Sequence, residues 1–100
     1  MKHAAVLFPG DYDEQSEEET TSRGYLADVV VLLGDGTRHP VFFIELVRLH
    51  QELDDRERLG QPYFAERNMI VLPKVTTDAV GRAVDALARQ GFFQKLEPTS

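Results

Sequence analysis

Two periods of hydrophobic and polar residues divide the chain. Residues 25 to 33, YLADVVVLL, are dense in β-branched and aliphatic side chains, and the unbroken stretch from Val29 to Leu33 predicts a strand covered on one or both faces and central in a sheet. Gly34-Asp35-Gly36-Thr37 follows, and an Asp-Gly pair between two apolar runs predicts a primed hairpin turn with φ > 0 at both central positions. The next strand is then HPVFFI, His39 to Ile44, antiparallel to the first. Pro40 has no N–H to donate, so its place is the strand's start or an unpaired edge. HAAVLF, residues 3 to 8, reads as a further short strand stopped by Pro9-Gly10, and the segment from Asn68 to Pro73 as another with a buried centre, Met69 to Leu72.

From Glu45 the period lengthens. Leu46, Leu49, His50, Leu53 and Glu57 fall on one face, while Arg48, Glu52 and Arg56 fall four apart on another. This predicts an amphipathic helix with its leucines turned to the core and its charges solvated and self-neutralised, as are Asp54-Asp55 beside Arg56 and Arg58. Gly60 ends it, Pro62 lies beyond, and Tyr63-Phe64 are expected to plug the core as the chain returns. A second helix starts at Thr76 or Thr77, which offer N-caps ahead of Asp78, and carries the stripe Ala79, Val80, Ala83, Val84, Leu87 and Ala88. Gly91 supplies the left-handed C′ position, with Phe92 folding back on Leu87 in a Schellman arrangement. The order (β)-β-β-α-β-α predicts an α+β two-layer sandwich, a small mixed sheet of three or four strands with two helices on one face. If the strand after the first helix runs parallel to the one before it, the crossover is right-handed. The other sheet face is left to the N-terminal segment, a second subunit or water.

Composition places these elements in one domain, residues 1 to 100, with 42% hydrophobic content. The formal charge of −6 changes the picture at a single place: Asp11, Asp13, Glu14, Glu17, Glu18 and Glu19 account for all of it, because the rest of the chain carries as many bases as acids. From Asp11 to Ser22 the only apolar residue is Tyr12, too little to offset the entropy of ordering, so residues 11 to 22 are expected to form an acidic mobile loop or arm. No basic cluster offers the electrostatic footprint of nucleic-acid binding, so direct contact with nucleic acid is not expected. Cysteine is absent, which removes disulfides, thiolate metal sites and cysteine nucleophiles and suits the reducing cytoplasm. The apolar run Ala4 to Phe8 is shorter than a signal-peptide core and far below the ~20 residues that span a bilayer, so no membrane association is expected.

The search for chemistry yields little. His3, His39 and His50 are scattered, with no HxH, no HExxH and no i, i+4 His/carboxylate pair expected, and a single His at the border of a helix's apolar face, as His50 is, reads best as a core-edge residue. Ser16, Ser22 and Ser100 sit in no G-x-S-x-G turn, and GDGT is neither a P-loop nor a dinucleotide fingerprint. Counted from Asp11 as an EF-hand loop, the acidic segment fails where Ser16 replaces the required glycine and Ser22 the bidentate glutamate. No cofactor, metal or catalytic set is therefore assigned. What is left is docking: Asp11, Tyr12, Asp13, Glu14, Glu17, Glu18 and Glu19 as the candidate partner-binding residues, steering a protein with a basic surface, against the alternative of a merely solvating loop.

The DG turn, the strand running into a helix at VFFIELVRLHQEL, the strand ending VLPKVT and the Ala/Val-rich helix closed by Gly-Phe-Phe together resemble small bacterial α+β domains, some of the immunity-protein type, over residues 24 to 93. The resemblance implies a non-enzymatic protein that binds and neutralises a toxin effector. The alternative is a small-ligand-binding or metabolic accessory domain, with a pocket between sheet and helices lined by Tyr25, Phe42, His50 and Tyr63. Either role is compatible with a homodimer.

Overall fold

A computed structural model describes residues 4–8 and 13–93, with the backbone alone for Glu14 and Gln15. The elements are β1 (Ala4–Leu7), α1 (Glu14–Arg23), β2 (Tyr25–Leu33), β3 (Arg38–Glu45), α2 (Leu46–Arg58), β4 (Met69–Leu72) and α3 (Thr77–Arg89). They build an α+β domain on a mixed four-stranded sheet, order β1-β2-β3-β4. β1, β2 and β3 pair antiparallel, and β4 runs parallel to β3. No described helix is long and apolar enough to cross a membrane.

Strand β2 is internal, as its apolar density demands, but its pleat is interrupted. Leu26 opposes Phe43 and Val29 opposes Val41, so Ala27 and Asp28 share one position against β3 in a β-bulge, with Asp28 at φ 61°. The extra residue resets the alternation, and Leu26, Val29, Val31 and Leu33 all face the core although their numbers change parity. The hairpin beyond it is not the expected two-residue primed turn. Gly36 N–H donates to Leu33 O and Leu33 N–H to Thr37 O, and of the turn residues Gly36 has positive φ. That is a three-residue loop in which Gly36 takes the left-handed position, for which a residue without Cβ is suited. Pro40 lies within β3 opposite Val30 of β2, with its ring nitrogen on the other side: Phe42 N–H points toward β4, so the nitrogen two residues earlier faces the same way, before β4 begins. There the Asn68 side-chain amide donates to Pro40 O at 2.6 Å.

The core is a two-layer contact between one sheet face and α3. Val80, Val84 and Ala88 of α3 meet Leu26, Val29, Val31, Val41 and Phe43, with Val75 and Phe93 closing the ends. Burying each such valine contributes about 1.5 kcal/mol or more. Thr76 caps α3 by accepting from Ala79 N–H at 3.1 Å. At the other end Phe92 N–H donates to Leu87 O and Gly91 N–H to Ala88 O, the paired bonds of a Schellman motif; the same pattern at Gln61 and Gly60 closes α2.

Two expectations are corrected. Residues 14 to 23 are helical where a loop or arm was expected. Asp13 is the N-cap, its Oδ1 accepting from Ser16 N–H at 2.9 Å, the acids crowd toward the positive end of the helix dipole, Arg23 lies in the last turn and Gly24 ends it. Without an apolar stripe, α1 is fastened by Thr20, which is fully buried, and by Thr21, whose hydroxyl donates to Glu17 O and lies 3.4 Å from Val75 O. The second correction concerns α2. It does not share a sheet face with α3: it lies over Tyr25, Phe42 and Ile44, which alternate with the core residues Leu26, Val41 and Phe43.

Candidate functional site

The inward face of α2 is its charged one. Arg48 Nη2 lies 2.6 Å from Glu52 Oε1, and Arg56 Nη2 lies 3.6 Å from Glu52 Oε2, so one carboxylate holds two guanidinium groups one turn before and after it. The planar cations rest on rings from the sheet and the following loop: Arg48 is 5.6 Å from the centre of Tyr25 and Arg56 is 4.7 Å from that of Phe64. Arg23, at the end of α1, covers Tyr25 at 5.0 Å. Tyr25 stacks on Phe42 at 6.1 Å, and Phe42 meets Phe64 at the same distance. Together with Ile44 and Glu66 these groups line an open cleft of about 180 Å³. The Nε atoms of Arg48 and Arg56 are shielded from solvent and have no hydrogen-bond partner among the described residues, as befits N–H groups lying along aromatic faces. The arrangement carries no nucleophile; it is a strut of ions and rings holding α2 to the sheet.

Its consequence lies on the outside. With the charges turned in, the leucine stripe expected in the core is not buried: Leu46 is 62% exposed and Leu53 38%, Leu49 is half-buried, and α2 contains no buried residue; beside the stripe Val47 is 62% exposed, and Leu59, just past the helix, 76%. Tyr63, expected as a core plug, is 64% exposed; Phe64 alone of that pair packs inward. Val71 on β4 adds a further exposed aliphatic group.

Of the acidic candidates, Asp11 and Tyr12 lie outside the described residues. Asp13 is the α1 cap and Glu14 lies in its first turn. Glu17, Glu18 and Glu19 are exposed along the helix. Of the alternative pocket, the structure brings Tyr25 and Phe42 together and leaves out His50 and Tyr63. His50 is exposed rather than at the core edge, and its Nδ1 lies 3.3 Å from Asp54 Oδ2, an i, i+4 His/carboxylate pair that corrects the expectation of none.

One polar chain was not anticipated. Thr37 Oγ1 donates to Asp35 Oδ1 at 2.6 Å and lies 3.1 Å from Nε2 of His39, a buried ring packed near Phe93. The hydroxyl has one proton and gives it to the carboxylate, so Nε2 donates to the hydroxyl. Nδ1 has no partner among the described residues. Carboxylate, hydroxyl and imidazole are thus in the wrong order for a nucleophilic triad, since the imidazole offers the hydroxyl no base. The chain is a hairpin lock, in which the Thr37 side-chain and backbone donors hold the Asp35 carboxyl below the usual carboxylate range. Among the described residues no three His, Asp or Glu side chains converge on a point that could hold a metal ion.

No known protein family matches the chain, and no characterised protein and no solved structure is significantly similar to it.

Proposed function

We propose that the chain is a non-enzymatic cytoplasmic protein-binding domain. The observation that carries this reading is helix α2, which turns Arg48, Glu52 and Arg56 to the sheet and leaves Leu46, Val47 and Leu53 exposed. Exposed aliphatic surface on a helix is a mark of interaction sites. Helix α1 supports the same reading, because Glu17, Glu18 and Glu19 stand exposed on a fixed scaffold and would steer a partner with a basic surface. Blocking the basic cleft of a toxin, as an immunity-type protein does, is one form of this role.

A small-ligand role finds support in the cleft of about 180 Å³ between Tyr25, Phe42 and Phe64. It ranks lower because the charged groups of that cleft, Arg48, Glu52 and Arg56, are already paired with one another. The deciding experiment is affinity capture from native lysate with the wild type and with a Leu46→Ser/Leu53→Ser variant of unchanged circular dichroism. A partner held by the wild type and lost by the variant is the expected result. One held equally by both would refute the assignment to α2.

A further inference from the structure

Beside the bulge in β2 lies a second hollow, on the sheet face turned away from α3. Val30 and Pro40, opposite each other in the β2–β3 register, and Phe42 stand on that face because Val29, Val41 and Phe43, their neighbours in the chain, face the core. Val30, Pro40 and Phe42 give an apolar lining to an open groove of about 380 Å³, which Asp28, Glu66 and Arg67 line as well. Phe42 and Glu66 also line the cleft under α2, so the two hollows adjoin.

The groove differs from the cleft in having charges to spare. Under α2, Glu52 takes up both Arg48 and Arg56. Asp28, Glu66 and Arg67 are exposed, and among the described residues none of them makes an ion pair or a side-chain hydrogen bond. Two carboxylates against one guanidinium leave the lining net negative, and Arg67 neutralises neither. Asp28 stands at φ 61°, a region that glycine enters at less cost. Aspartate is tolerated there when its carboxylate bonds the local backbone, and this one makes no such bond.

We propose that this groove receives an arginine side chain of a partner protein, its stem on Val30, Pro40 and Phe42 and its guanidinium shared by Asp28 and Glu66. Apolar surface beside unpaired carboxylates complements a side chain with an apolar stem and a cationic head. Arginine fits better than lysine, because its planar fork carries five N–H donors and can serve two carboxylates at once. The neighbouring cleft shows the same chemistry within the chain, where Arg56 rests 4.7 Å from the centre of Phe64 while its guanidinium meets Glu52. The inference deepens the protein-binding reading and rests on it: the exposed acids of α1 would steer a partner with a basic surface, and the groove gives that surface an anchor of a residue type enriched among binding hot spots. Arg67 opposes the incoming cation, so its removal and that of the carboxylates must act with opposite signs.

The test uses the intact protein and three capped pentapeptides of glycine and serine that differ only in the central residue: arginine, citrulline or glutamate. Citrulline keeps the shape of arginine and lacks its charge. Amide chemical shifts of Val30, Val41 and Phe42, followed through a titration, report binding. The arginine peptide should shift those amides and bind roughly fivefold or more tighter than the citrulline one at about 20 mM salt, with the ratio shrinking at about 0.5 M. The glutamate peptide should not bind. Asp28→Asn/Glu66→Gln removes both charges, and asparagine tolerates the left-handed backbone as aspartate does, so a variant of unchanged circular dichroism should bind the arginine peptide no better than the citrulline one. Arg67→Ala should tighten binding roughly twofold or more. Should the double variant fail to fold, Glu66→Gln alone and Arg67→Ala, which alter only exposed side chains, must move the affinity in opposite directions. The proposal is overturned if no peptide shifts those amides, if citrulline binds as tightly as arginine, if the folded double variant binds as the wild type does, or if glutamate binds tightest, which would assign the groove to an anion on Arg67. Free arginine binding more tightly than the capped peptide overturns it too, making a small zwitterion the occupant, as does a wild-type dimer in sedimentation that the double variant converts to monomer, making the occupant a second copy. Failure of the arginine peptide with loss of partner capture in the Leu46→Ser/Leu53→Ser variant would remove the groove and leave protein binding through α2 standing.

Discussion

Paired substitutions on opposite faces of α2 separate the two ways this helix could sit. Leu46 is 62% exposed, so little more than a third of its surface is buried. Fully burying a leucine is worth about 1.5–3 kcal/mol, and Leu46→Ser should therefore cost about 1 kcal/mol or less. Glu52→Ala leaves two guanidinium groups without their shared carboxylate. Losing the partner of a buried charged hydrogen bond costs more than about 1–3 kcal/mol, but the side chains of Arg48 and Arg56 are 36% and 37% exposed, so solvent screening reduces the loss to about 1–2 kcal/mol. Glu52→Gln, which keeps an acceptor for Arg48 and loses the charge, should fall between. Urea unfolding followed by circular dichroism measures all three, and the order of the losses carries the information: Glu52→Ala above Glu52→Gln, with Leu46→Ser lowest. A helix lying leucines inward would give the reverse, a Leu46→Ser loss of about 2 kcal/mol or more with Glu52→Ala near neutral. That pattern would refute the orientation and, with it, the recognition surface.

Two further outcomes follow from local geometry. Gly91→Ala forces a Cβ into a backbone at φ 74° and should cost about 1–2 kcal/mol, and Leu87→Ala, on a partly buried residue, should fall near the lower end of the ~2–5 kcal/mol range for core truncation; thermal unfolding reads both. Thr37→Ala should raise the Asp35 pKa toward its ordinary value in a carboxyl NMR titration. A carboxyl held low in the folded state contributes stability that is present above its unfolded pKa and lost as pH falls through the folded one, so the variant should show a flatter fall in stability on acidification.

The strands and α3 were legible because their residues serve a single purpose. Val29 to Leu33 are apolar, three of them β-branched, in a strand that is internal, and the α3 stripe, its Thr76 cap and its Gly91 stop agree with one another. The bulge at Ala27 and Asp28 was within reach, since Leu26 and Val29 cannot share a face of an unbroken strand. Helix α1 was misread for a physical reason. Its helical signals are a cap, charges favourable to the dipole and a terminal glycine, each worth about 1 kcal/mol or less, and no apolar periodicity announces it. Weighing the missing stripe above the caps turned a helix into a loop.

Helix α2 shows where periodicity stops informing. Its leucine and charged stripes were both identified correctly, but a period says only that two faces differ, and which one turns inward depends on what the sheet offers and on how the helix is joined to it. The sheet offers π faces at Tyr25 and Phe42, joined by Phe64 from the loop, on which a guanidinium rests better than a leucine does. The joint is rigid: β3 ends at Glu45 and α2 begins at Leu46, with no linker residue to absorb a rotation about the helix axis. The rotational phase of α2 is thereby tied to the end of β3, and the leucines are carried outward whatever their own preference for the core. Among the described residues Leu46 is left 62% exposed and Leu53 38%, which is why the orientation of this one helix, rather than the acidic run, carries the proposed reading.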